Sequence, residues 1–107
     1  MAAILVAAYP VGSEIDKEYY INKHIPKAQK HYDGMISWSI CDGLELPGIP
    51  SPYEFMCMME YPSMEHLGAQ MAQATPEANQ SMLDDIKNYS KKDAVVWVQI
   101  KTGEKTL

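Results

Sequence analysis

At 107 residues the chain has room for one modest core, which buries about two-thirds of the unfolded surface in a domain of this size. Hydrophobic residues at 47% and charged residues at 21% exclude a disordered chain. Nine Lys and Arg against fourteen Asp and Glu leave a net charge of −5, and no basic run exceeds Lys91-Lys92, which excludes a duplex nucleic-acid binder.

The chain reads as one domain over residues 1–107. The first predicted element is Ile4 to Tyr9, Ile-Leu-Val-Ala-Ala-Tyr, an apolar run closed by Pro10 and Gly12. That is the pattern of a strand buried on both faces. The run has no basic flank of the kind a secretory signal carries, and no stretch approaches the roughly 18 apolar residues of a membrane span. A cytoplasmic protein with no membrane partner is expected.

Ser13 and Asp16 are both good caps for a helix running from Lys17 to about Tyr32. Pro26 lies inside it, removes a backbone donor and predicts a kink or break near Ile25. Asp33-Gly34 is the stop. Met35 to Asp42 alternates, with Ile36, Trp38 and Ile40 on one face, and reads as a strand. Gly43 to Pro52 is an irregular loop. Tyr53 to Tyr61 is a second alternating strand, with Tyr53, Phe55, Cys57, Met59 and Tyr61 together on one face and Met56 and Met58 on the other.

Ser63 caps a helix with Met64, Leu67 and Met71 at helical spacing. Thr75-Pro76-Glu77 starts another, whose apolar stripe is Met82, Leu83 and Ile86. Ala94 to Ile100 is the last strand. The order is β-α-β-β-α-β, the ferredoxin-like arrangement of an α+β fold. Three of the strands are apolar on both faces, and two helices cover only one face of the sheet. Pairing of two copies, sheet against sheet, is the simplest way to bury the other face, so a homodimer is expected.

Chemistry is concentrated in the first helix. On a wheel of about 100° per residue, with Tyr20 at the origin, His24 falls at about 40° and Ile25 at about 140°. His24 therefore faces the sheet one turn above Tyr20. It is either a general acid or base in a helix–sheet cleft, or a core histidine bonded to a backbone carbonyl freed by Pro26. His31 and His66 have no partner spacing suited to metal, and Asp84-Asp85 reads as a solvated helix face. Cys41 and Cys57 lack a redox or zinc spacing, and Cys57 between methionines reads as an inert small hydrophobe. No Walker loop, nucleophile elbow or dinucleotide glycine motif is present, so no metal and no cofactor is expected. Eight Met, seven Tyr and two Trp suit either an apolar ligand cavity or a core and interface.

The run Tyr19-Tyr20-Ile21-Asn22-Lys23-His24-Ile25-Pro26 resembles the helix signature of the EthD family, small proteins named after a component of bacterial ethyl tert-butyl ether degradation. Tyr9-Pro10, Gly34 and Ile86-Lys87-Asn88-Tyr89-Ser90 agree with it in order along nearly the whole chain. Asp93-Ala94 departs from it, standing where the family usually enters its last strand through a proline. The resemblance implies a dimeric α+β barrel. It implies a protein of small-molecule metabolism, degradative or polyketide-type, whose family label of reductase finds no cofactor motif here.

The expected function is action on, or binding of, a small apolar or aromatic oxygenated metabolite. His24 is the expected catalytic residue, in dehydration, isomerisation or oxidoreduction. Tyr20 would orient it, and Tyr9, Trp38 and Tyr89 would line the substrate cleft with it. The alternative is a non-catalytic binding or accessory protein serving a partner oxidative enzyme.

Overall fold

A computed structural model describes residues 1–107. Its sheet has four antiparallel strands, β1 (Ala3–Pro10), β2 (Ser37–Asp42), β3 (Tyr53–Tyr61) and β4 (Val95–Ile100), in the order β2-β3-β1-β4. β1 is central, and Ala3, Ala7, Ala8 and Tyr9 along it are all buried. Small side chains there let the flanking strands and the helices close over it.

The register between β1 and β3 slips between Tyr9, opposite Phe55, and Pro10, opposite Tyr53. Proline cannot donate to the ladder, and the bulge falls where the ladder would need it. The slip overturns one expectation. Tyr53 leaves the face of Phe55 and packs its ring against Trp97 on β4, 5.9 Å between centroids. Glu54, at the bulge, turns its carboxylate to the turn after β1 and accepts the N–H groups of Gly12 at 2.8 Å and Glu14 at 3.1 Å.

The first helical segment runs unbroken from Lys17 to His31 as α1 (Lys17–Tyr19), a π-helical turn (Tyr20–His24) and α2 (Ile25–His31). Asp16, rather than Ser13, caps it, accepting the Tyr19 N–H at 3.1 Å. The break expected as one outcome near Ile25 does not occur, and the segment is helical through Pro26. The helix widens instead, so that the Ile25 N–H reaches back to the Tyr20 carbonyl and Pro26 falls in the first turn of α2, where its missing N–H costs little.

The second segment is α3 (Met64–Gln73), capped by Ser63, followed by α4 (Pro76–Asp85), capped by Thr75, and a 3-10 turn (Ile86–Asn88). Its apolar faces are narrower than the sequence suggests. Leu67 is fully buried, but Met64 and Met71 are exposed; Met82 is buried and Leu83 is exposed. The core between helices and sheet is built on Tyr9, Tyr20, Phe55, Cys57, Tyr61 and Leu67. The opposite sheet face carries Ile4, Val6, Ala8, Met56, Met58 and Trp97 with no helix over it. No helix is long and apolar enough to cross a membrane.

Candidate functional site

Between the helices and the sheet lies a cavity of about 140 Å³ whose lining is apolar except at His24. A cavity of ~150 Å³ accommodates a benzene ring, so the space matches about one aromatic ring. Tyr9, Tyr20, Tyr89 and Trp38, the residues singled out in the sequence, all contribute to its wall. Leu83 and Val96 also line it while being 61% and 58% exposed, so it opens to solvent between α4 and the edge strand β4.

The π-helical turn sets the catalytic candidate. It brings Tyr20 and His24 onto the inner face together, their rings stacked at 5.0 Å, and both are buried. Tyr89 reaches the other side of the imidazole, at 4.6 Å between centroids, from the segment after the 3-10 turn. That segment is tied down by its backbone. The Tyr89 carbonyl accepts the Asp16 N–H at 2.9 Å, and the Lys91 N–H is donated to Ser13 at 2.8 Å. The start of the first helix and the end of the second are thereby fastened together beside the cavity. Trp38 lines the wall from β2 and is 36% exposed.

The partner of His24 is Asp85, a residue the sequence reading left on a solvated face. Asp84 does stay outside and accepts from Gln80, but Asp85 is buried and its Oδ2 lies 2.8 Å from His24 Nδ1. The other oxygen, Oδ1, accepts the Tyr19 hydroxyl at 2.6 Å and the Asn88 amide at 2.9 Å. Neither Tyr19 nor Asn88 is evident as a site residue from local pattern. A signal for Asp85 did exist. Met82, Asp85, Ile86 and Tyr89 fall at about 0°, −60°, 40° and −20° on the helical wheel, a single arc from which Leu83 departs. The core histidine bonded to a backbone carbonyl, the other reading of His24, is not what forms.

The electrostatics follow from these contacts. Burial pushes the Asp85 carboxyl up, but Tyr19, Asn88 and His24 together outweigh it and hold it down at about 2. It is therefore a carboxylate, which only accepts. His24 must then donate its Nδ1 proton to it. Burial lowers the His24 pKa, and the attraction of Asp85 opposes that without cancelling it. At neutral pH the ring is neutral, with Nδ1–H on Asp85 and the lone pair of Nε2 facing Tyr89 and the cavity. The Tyr89 hydroxyl stands a long 3.4 Å from Nε2 and 2.6 Å from the Tyr9 hydroxyl. Burial raises Tyr9, Tyr20 and Tyr89 above their ordinary values, so all three stay protonated. Cys57 is raised by burial as well, which leaves its thiol unreactive. The arrangement is a carboxylate-oriented imidazole beside a largely apolar cavity, suited to taking up and returning a proton.

The element order and the four-stranded antiparallel sheet make this an α+β domain of the ferredoxin-like fold. A dimeric ferredoxin-like protein from Thermobifida fusca YX matches it with a TM-score of 0.52 at 13% identity, covering 92% of this chain and 90% of that one. No protein-family model matches the sequence, and no curated protein does. Two solved structures are more similar. An EthD-like protein from Ralstonia eutropha JMP134 superposes with a TM-score of 0.77 at 23% identity, over 98% of this chain and 96% of that one. An ethyl tert-butyl ether degradation (EthD) family protein from Bacillus halodurans C-125 gives 0.66 at 27% identity, over 99% and 100%. Over nearly its whole length, including the helix that carries Tyr19 to Pro26, the chain is similar to these EthD-like structures.

Proposed function

We propose that the protein acts on a small, planar, oxygenated compound of about one ring, with His24 as the group that moves a proton. The observation that carries this reading is the Asp85-fixed imidazole beside a largely apolar cavity, its Nε2 met only by the long contact to the Tyr89 hydroxyl. A neutral base of lowered pKa needs an activated substrate, for which such help is worth ~10²- to 10⁴-fold. The chemistry that fits is enolisation, isomerisation or dehydration, since proton transfer is the help each asks of the protein; in dehydration a C–O bond also breaks and its oxygen leaves as water. The test is an NMR titration of the His24 imidazole with a panel of phenolic and lactone compounds. Shifted His24 resonances with at least one compound are expected, and turnover assays on that compound with His24→Gln follow. An imidazole that no compound moves refutes the reading.

We infer also that two copies pair through the open sheet face. The protein is a slab of 42 × 40 × 20 Å with a radius of gyration of 14.6 Å. A compact chain of this length has about 13 Å. The half-buried apolar side chains of Ile4, Met56, Met58 and Trp97, on the face with no helix over it, support an isologous contact there. Light scattering is expected to give twice the chain mass, and Met58→Glu to give a monomer; a wild-type monomer overturns the pairing.

A further inference from the structure

We propose that Tyr89, positioned by Tyr9, is an oxyanion donor: its O–H bonds the oxygen of an enolisable ring ketone or phenol, while His24 Nε2 takes the acidic proton of the same molecule. This rests on the acid/base reading of the cavity and narrows its substrate to a carbonyl compound with an acidic α C–H, or the phenol that is its tautomer.

The direction of the hydrogen bonds supplies the argument. His24 Nδ1–H is committed to the Asp85 carboxylate, so Nε2 accepts, and the single proton of Tyr89 is what it accepts. When Tyr89 gives its proton to Nε2 or to a substrate oxygen, the proton in the 2.6 Å contact between the two hydroxyls comes from Tyr9. Tyr9 thus donates into Tyr89 and polarises its O–H. The two links differ in strength. The Tyr9–Tyr89 contact is short, whereas the 3.4 Å link from Tyr89 to Nε2 is beyond the usual range. The weak link is the one a substrate can replace. A carbonyl oxygen and its α-carbon are about 2.4 Å apart by standard bond lengths, so one molecule can meet both groups at once.

The step balances without a co-reactant. The α C–H bond breaks and its proton goes to Nε2. The electron pair forms the carbon–carbon double bond, and the carbonyl π pair moves onto oxygen, where Tyr89 O–H stabilises it. Asp85 stabilises the imidazolium formed. Return of the proton to oxygen or to another carbon regenerates His24 and releases the enol or the isomer.

The experiment uses 4-nitrophenol, whose neutral and ionised forms absorb at different wavelengths, buffered about one unit below its own pKa. The expected result is a bound phenolate, with its proton on His24. Tyr89→Phe keeps the ring but loses the donor, and should lower the ratio of bound phenolate to phenol by about tenfold to a hundredfold. Tyr9→Phe should lower it less, while Tyr61→Phe, outside the lining, should leave it unchanged. A phenol bound in its neutral form overturns the oxyanion role and leaves the cavity reading standing. A phenolate that Tyr89→Phe does not affect also overturns it. If 4-nitrophenol fails to bind, the proposal falls, and the His24 titration decides separately whether the acid/base reading falls with it.

Discussion

Replacing Asp85 with Asn keeps the shape of the side chain and changes what it can accept. Asp85 Oδ1 receives two donors, from Tyr19 and Asn88, while Oδ2 receives one, from His24. An Asn has one oxygen, and its favourable place is where the two donors converge. Its NH2 then occupies the Oδ2 position and points at His24 Nδ1. Nδ1 must accept, so the proton moves to Nε2 and the ring presents a donor to the cavity instead of a base. In serine proteases the equivalent change costs ~10⁴ in rate through the same wrong tautomer. Loss of the Asp85 charge also removes the influence that raises His24, so its pKa should fall further. Long-range nitrogen–proton NMR distinguishes the tautomers. The wild type is expected with Nδ1–H and Asp85→Asn with Nε2–H. An Asp85→Asn protein that keeps Nδ1–H, or a wild type without it, would refute the derivation of the base.

Other outcomes follow from individual contacts. The Tyr61 hydroxyl is buried without a hydrogen-bond partner, and burial pushes its pKa up to about 12. Tyr61→Phe should therefore raise the melting temperature, by up to ~1 kcal/mol of stability; a clear loss would mean the hydroxyl has a partner. Acid should unfold the protein through two windows. His24 is lowered in the native state, so its contribution is present above the unfolded value near 6.5 and is lost as pH falls toward the native one. Asp85, held at about 2 against 3.8, contributes about 2 kcal/mol above pH 3.8 that is lost as pH falls toward 2. Urea midpoints measured against pH should lose the upper window in His24→Gln and the lower one in Asp85→Asn. A Cβ on Gly43 would run into the Tyr53 carbonyl. Gly43→Ala should cost about 1 to 3 kcal/mol in thermal unfolding, and an unchanged melting temperature would show that the β2–β3 loop can shift.

The amino-acid sequence alone determined the order of the elements, because that order is written in local chemistry. Alternation marks the strands, while Asp16, Ser63 and Thr75 cap the helices with side-chain oxygens that need only their own turn. The inward direction of His24 was also local, since one turn of helix relates it to Tyr20. What the tertiary structure decided was everything that depends on a partner distant in sequence. Tyr53 changed face because Pro10 could not continue a ladder it shares with β3. Pro26 follows a widened turn rather than a break, and the register of that turn puts Tyr20 and His24 side by side. Asp85 looked like half of a solvated pair until Tyr19, His24 and Asn88 arrived from two segments to supply three donors. A carboxylate may be buried only where such donors converge, and convergence is a property of the folded chain rather than of any stretch of it.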